Sequence, residues 1–312
     1  MPDQKIITIV GGTGFVGHYV VRQLARSGYT IRVISRNPDA ALELKTSGDV
    51  GQIVLMKGDL AKPESLAGKL DGSYAVINLV GILFESGRQT FTRLHAQGSE
   101  KLAQLAKAAG AKRFIHVSSL GIDKASGQYA HSKAVGEKAV LAAFPEATVL
   151  RPSVVFGPED NFFNQFAAIS SLAPVLPLIG GGHTRFQPVY AGDVAKAIET
   201  CLTRDDVQGQ VYELGGPQIY TLKEIFEYIL KITGRHRALL PIPFGIASIM
   251  GTFGEILPRP PLTRDQVTLL RHDNVVSAGA RTLSHLDIHA TAIDVIVPDY
   301  LARFRKGGKL AA

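Results

Sequence analysis

Tyr129 and Lys133 stand four residues apart in Tyr129-Ala130-His131-Ser132-Lys133. On a helix, both side chains leave the same face. An ammonium beside a phenol favours the phenolate, and a tyrosine so placed can pass a proton to or from a carbonyl or an alcohol. Upstream, Ser118-Ser119 follows the apolar run Phe114-Ile115-His116-Val117 and offers hydroxyls to polarise a substrate oxygen. Ser119, Tyr129 and Lys133 are therefore the candidate catalytic group. A second chemical signal lies at the start of the chain. Lys5-Ile6-Ile7-Thr8-Ile9-Val10 runs into Gly11-Gly12-Thr13-Gly14-Phe15-Val16-Gly17, and Val20, Val21 and Leu24 continue with helical spacing. A strand, a tight glycine turn and a helix start in succession let bare N–H groups approach a pyrophosphate at the positive end of the helix dipole. Gly11, Thr13, Gly14, Phe15, Val16 and Gly17 are assigned to a dinucleotide on this basis.

The other nucleotide contacts follow from strand ends. The second strand ends in Ser35-Arg36-Asn37-Pro38, where an NAD site usually places a carboxylate for the ribose hydroxyls. A guanidinium there pairs with a 2′-phosphate, so NADPH is expected in preference to NADH. Asp59 and Leu60 are placed to meet the adenine, although Asp59 equally fits a turn or a helix cap. Leu79, Val80 and Gly81 line the ribose and phosphates. Val117 and Pro152, at the ends of the fifth and sixth strands, complete the set with Tyr129 and Lys133.

These residues need a frame that brings strand ends together. Strands are expected at Ile6–Val10, Thr30–Ile34, Ile53–Lys57, Ala75–Leu79, Arg113–Val117 and Thr148–Arg151. Helices are expected at Val16–Ser27, Pro63–Lys69, Phe91–Ala109 and Tyr129–Phe144. Strict βα alternation predicts an α/β fold, a Rossmann-type doubly wound parallel sheet, with a smaller C-terminal lobe. Residues 1–151 form the nucleotide-binding domain and 152–312 the substrate or partner lobe. Further regular segments at Val194–Leu202, Val211–Leu214 and Leu222–Thr233 interleave to about residue 235.

The chain has 312 residues and a net charge of +7, which suits an anionic partner without choosing one. No dense basic stripe interleaved with aromatics favours nucleic acid. Cys201 is the lone cysteine and reads as core. The histidines lack metal-ligand spacing, so no metal is expected. His183, Arg185 and Tyr190 fit either a pocket or surface loops. The N-terminus runs straight into the first strand, and no apolar run reaches membrane-spanning length. Phe244, Ile246, Ile249, Met250, Phe253, Ile256 and Leu257 form a helical apolar stripe, with Arg259 and Arg264 just beyond. A core helix that closes the C-terminal lobe is the slightly favoured reading, and a face resting on a membrane or partner is the alternative. The basic tail from Arg303 to Lys309 is expected to fray.

The glycine turn, Ser118-Ser119, Tyr129-to-Lys133 and Arg151-Pro152 resemble the atypical short-chain dehydrogenase/reductases. Phe114 to Ser118, Lys133 to Lys138, Phe144 to Ala147, Phe156 to Asp160, Gln187 to Tyr190 and Leu262 to Val267 carry the resemblance along nearly the whole chain. Within that superfamily they are similar to the nucleotide-binding accessory subunits of respiratory complex I. The resemblance implies a bound NADPH with a structural role and association with complex I subunits at a membrane surface, for which the apolar stripe of Phe244–Arg264 is the candidate contact. The compact length and the absence of a transit peptide point to a bacterial relative. A peripheral place follows, on the cytoplasmic side of an inner membrane or, in a mitochondrion, on the matrix side; a cytoplasmic reductase or epimerase-like enzyme, with a part in quinone metabolism, is the alternative. One departure stands out. His95-Ala96-Gln97-Gly98-Ser99 replaces the Asn-x-x-Gly-Thr of active extended enzymes, which points to a packed rather than a catalytic His95.

Overall fold

A computed structural model describes residues 5–255, 260 and 262–308. Short β-branched runs become strands, and the amphipathic segments between them become the covering helices. In order these are β1 (Ile6–Val10), α1 (Phe15–Arg26), β2 (Thr30–Ser35), β3 (Ile53–Lys57), β4 (Ser73–Asn78), α2 (Ser99–Ala108), β5 (Arg113–Val117), α3 (Gln128–Ala143) and β6 (Thr148–Pro152). The chain continues through β7 (Val155–Phe156), α4 (Phe162–Leu172), β8 (Val175–Ile179), β9 (Arg185–Phe186), β10 (Val189–Tyr190), α5 (Ala191–Thr203) and β11 (Val211–Leu214). It ends with β12 (Tyr220–Thr221), α6 (Leu222–Thr233), β13 (Ala238–Ile242), α7 (Phe244–Gly254), α8 (Arg264–Leu269) and α9 (Ile293–Leu301).

Seven parallel strands form the main sheet in the order β3-β2-β1-β4-β5-β6-β11. One face is buried under α1 and α5 through Ile7, Ile9, Val20, Leu24, Ile31 and Ile198. The other is covered by α2 and α3 through Val76, Phe114, Leu102 and Val140. Winding reverses between β1 and β4, and a parallel sheet opens its ligand crevice at the carboxyl ends beside such a switch. A third core joins α4, α6 and α9 through Phe163, Phe226, Ile229 and Val297. The adjacent parallel pair β8–β13 leads into α7, which packs on α8.

Two expected helices differ. The segment Phe91–Ala109 is not one α-helix, because Thr92–Gly98 is a π-helical turn that feeds into α2. Pro63–Lys69 shrinks to a 3₁₀ turn at Pro63–Leu66, since Gly68 takes a φ of 69° and ends it. The apolar stripe splits as well. In α7 the small residues Ala247 and Gly251 are buried, whereas Ile246, Ile249, Met250 and Phe253 are exposed. The favoured core-helix reading of this stripe is therefore corrected. Small residues make the packed side because they let the backbones approach. A Cβ on Gly251 would stand 2.8 Å from Arg264 N, and one on Gly254 would stand 2.6 Å from Leu262 O. Ile256, Leu257, Arg259 and Lys309 lie outside the described residues.

Candidate functional site at the carboxyl ends of the sheet

The glycine turn crosses the switch point between β1 and β4. Gly11 has a φ of 87°, and a Cβ on it would meet Val80 N at 3.1 Å. Only glycine takes that conformation at that distance without strain. A Cβ on Gly17 would meet Gly12 O at 2.4 Å, so α1 turns tightly back against the turn. Gly14 caps α1 with extended backbone and no side-chain hydrogen bond. The first N–H groups of an α-helix have no intrahelical partner, and here Phe15, Val16 and Gly17 supply them toward the crevice, with Thr13 half-buried beside them.

The neighbouring strand ends converge on the same edge. Ser35 Oγ at the end of β2 is buried without a partner, and Arg36 next to it is exposed, with no ion pair among the described residues. Asp59 Oδ1 accepts the Ala61 N–H at 3.0 Å, so one carboxylate oxygen serves the turn after β3, as its alternative reading expects. A groove of about 350 Å³ opens there, lined by Asp59, Leu60, Lys62, Arg93 and Gln97. Leu79 and Val80 are half-buried, held by Leu79 N–H donating to Val10 O at 2.9 Å and Val80 N–H donating to Asn78 Oδ1 at 3.1 Å. Pro152 is buried, and its carbonyl accepts Leu120 N–H at 2.9 Å.

The structure brings Ser119, Tyr129 and Lys133 together. Ser119 lies on the Tyr129 hydroxyl side of this group and lowers the phenol's proton affinity. Burial raises the Tyr129 phenol above its ordinary value, and Ser119 works against that rise. Lys133 is buried, and its Nζ donates to Val117 O at 3.3 Å. Burial lowers this ammonium to about 8, although Glu137 opposes the shift. A Cβ on Gly81 would sit 3.3 Å from Lys133 Nζ. Gly81 therefore keeps the space beside the ammonium open, and Nζ retains donors for a ribose. Ser118 Oγ is also buried and unpartnered. The narrow glycine turn, the orphaned hydroxyls of Ser35 and Ser118 and the open side of Lys133 fit an extended nicotinamide dinucleotide.

His95 holds this arrangement rather than titrating. Its Nε2 accepts Ile82 N–H at 3.1 Å, and its Nδ1–H donates to Ser132 Oγ at 2.9 Å. Ser132 in turn donates to Tyr129 O at 2.8 Å. Burial, with Lys133 and His116 nearby, drives His95 down to about 2. The ring stacks on Phe91 at 5.5 Å and meets Tyr129 edge-on at 5.5 Å. A Cβ on Gly136 would stand 1.8 Å from His95 O, so α3 crosses the π-helical turn at close range. The sequence pattern missed this turn because one extra residue per turn leaves no compositional mark.

Asp265 lies in the segment Leu262 to Val267 that carries the resemblance, but no sequence motif assigned it a role at the site. Its two oxygens accept the N–H groups of Gln128 at 2.7 Å and Tyr129 at 3.0 Å. Arg185 is ion-paired with Asp273 at 2.7 Å, and His183 is exposed. Tyr190 meets Tyr19 edge-on at 5.7 Å. Cys201 is buried, its thiol pushed up to about 12 chiefly by burial. Among the described residues no cluster of three or more His, Cys, Asp or Glu can hold a metal, and no helix is long and apolar enough to cross a membrane.

Residues 7–215 match the model of the NAD dependent epimerase/dehydratase family. The mitochondrial NADH dehydrogenase (ubiquinone) 1 alpha subcomplex subunit 9 of Arabidopsis thaliana is 37% identical over 97% of this chain and 79% of its own length. A ceramide reductase of Caulobacter vibrioides is 32% identical over 76% of this chain and 74% of its own. Among solved structures, the Escherichia coli NADPH-dependent quinone oxidoreductase in complex with NADPH superposes with a TM-score of 0.74 at 22% identity, over 95% of this chain and 99% of that one. At that identity the last likeness speaks to the fold alone.

Proposed function

We propose, from the premise that this chain belongs to the NAD dependent epimerase/dehydratase family, that it binds NADPH and serves as an accessory subunit of respiratory complex I, with the nucleotide held mainly for structure. The observation that carries this reading is the near full-length similarity to a complex I subunit, 37% identical over 97% of the chain. It reaches the C-terminal lobe as well as the nucleotide fold. The geometry supports the nucleotide. Gly11 to Gly17 present N–H groups to a pyrophosphate, Arg36 stands where a 2′-phosphate would lie, and Lys133 has donors for the nicotinamide ribose. When bound, the nicotinamide supplies a hydride donor or acceptor.

The exposed apolar side of α7, with Arg264 nearby, supplies the docking surface for the complex or the membrane beneath it. That placement is peripheral, on the matrix side in a mitochondrion or the cytoplasmic side in a bacterium.

A second reading is a catalytic reductase, favoured by the intact Ser119–Tyr129–Lys133 group and by the ceramide reductase relative. In that case Tyr129, polarised by Ser119, moves the proton while Lys133 stabilises the phenolate. Affinity isolation from native membranes, with identification of the co-purifying proteins and bound nucleotide, tests the first reading. Recovery of complex I subunits with NADPH is the expected outcome. Substrate-dependent NADPH oxidation that disappears in Tyr129→Phe would replace it with the second.

A further inference from the structure

Asp265 ties the C-terminal lobe to the helix that carries Tyr129 and Lys133. The first turn of α3 has no local side-chain cap. Its N-cap, Gly127, has a φ of 137°, and a Cβ there would stand 2.6 Å from Asp265 Oδ1. The cap instead arrives from α8, 136 residues later in sequence, and takes the Tyr129 N–H itself. A carboxylate that accepts two N–H groups at a helix N-terminus combines charge-assisted bonds with the helix dipole. α8 is held in turn. Thr263 and Gln266 form its capping box, and Arg264 N–H donates to Glu255 Oε1 at 2.9 Å. Gly251 of α7 lies against Thr263 and Arg264, while Ala247 and Val267 share a small core with Phe244 and Leu270. A continuous set of contacts thus runs from the helix with the exposed apolar side to the backbone of Tyr129.

We propose that Asp265 is a positioning residue through which the α7–α8 pair and the nucleotide side of α3 are thermodynamically linked. Nucleotide beside Tyr129 and Lys133 orders α7–α8, and ordering of α7–α8 strengthens nucleotide binding by the same factor, because such coupling is reciprocal. The inference rests on reading the cleft as a nucleotide site. The charge of Asp265 also helps keep the Tyr129 phenol protonated, so loss of the clamp would change proton affinity as well as position.

Hydrogen exchange of the full chain, followed by mass spectrometry with and without saturating NADPH, tests it. In the unaltered protein NADPH slows exchange at residues 128–133 and also at 244–254 and 264–269, by about fivefold or more. In Asp265→Ala, at NADPH concentrations raised to saturation, protection persists at 128–133 and is lost from α7 and α8. Asp265→Asn, which keeps one accepting oxygen, restores part of the transmission. Protection confined to 128–133 in the unaltered protein, or transmission that survives in Asp265→Ala, overturns the coupling. If NADPH protects nothing, the nucleotide reading fails, and the clamp is judged in the free protein. There, Gly251→Ala, which pushes α7 away from α8, must speed exchange at residues 128 and 129, and must add nothing in the Asp265→Ala background. Equal acceleration in both backgrounds, or none in either, refutes it.

Discussion

Replacing Ile249 and Phe253 together with serine separates a docking face from a core helix. The two side chains are 60% and 68% exposed, so about 40% and 32% of their surface is covered by this chain. Full burial of such a side chain is worth about 1.5–3 kcal/mol. The covered fractions therefore contribute about 1 kcal/mol each or slightly less, and helix propensity changes little between these residues and serine. The double variant should lose about 2 kcal/mol and a few degrees of melting temperature. In a core, each truncation would cost about 2–5 kcal/mol. Differential scanning calorimetry gives the stability. Co-sedimentation with native membranes, and recovery of complex I subunits, give the association, which should fall sharply. At about 1.5 °C per kcal/mol for a chain of this length, a drop in melting temperature of more than about 6 °C, or unchanged association in a folded double variant, would refute the reasoning from exposure to docking.

Arg36→Asp should weaken NADPH about 10- to 100-fold, because a charge-assisted pair becomes a repulsion, and should leave NADH nearly unchanged; titration with both nucleotides checks this, and equal affinities in the unaltered protein would contradict the assignment. Gly136→Ala should destabilise by about 1–3 kcal/mol, since its Cβ meets His95 O at 1.8 Å in the present packing; a denaturant melt that does not move would contradict that close crossing. His95 and His116 are lowered to about 2 and about 3, chiefly by burial. Both folded values lie below the unfolded value near 6.5, so below that pH the unfolded chain binds more protons. Their stabilising contribution is complete above about pH 6.5 and falls with acidification, at a limiting slope of about 2.7 kcal/mol per pH unit for two protons. Denaturant melts at pH 7, 6 and 5 should show stability falling with pH, and His95→Gln should remove about half of the histidine slope.

Local patterns with a short physical range were legible in the sequence. Ile6–Val10 followed by glycines at 11, 14 and 17 can only be a strand, a tight turn and a helix start, and the structure agrees to within a residue. The βα alternation through β6 gave the parallel sheet, because each period of the apolar pattern reports the face its own element buries. Tyr129 and Lys133 were matched by helical spacing, which α3 provides. The stripe in α7 is misleading because large apolar residues ordinarily mark the packed side of a helix. Ala247, Gly251 and Gly254 make that contact instead, and the approach of α8 is what selects them.

What the sequence alone determined, then, is the parallel sheet with its glycine turn and the placing of Tyr129 and Lys133 on one helix, since these follow from residue types within one turn or one strand of each other. Tertiary structure decided the rest. It turned His95 into a neutral peg between Ile82 and Ser132, because only burial and two fixed partners hold an imidazole in one tautomer. It left α7's large side chains exposed, and it set Asp265 on the first turn of α3. That last contact joins residues 136 positions apart, and neither local propensity nor periodicity carries information over such a separation.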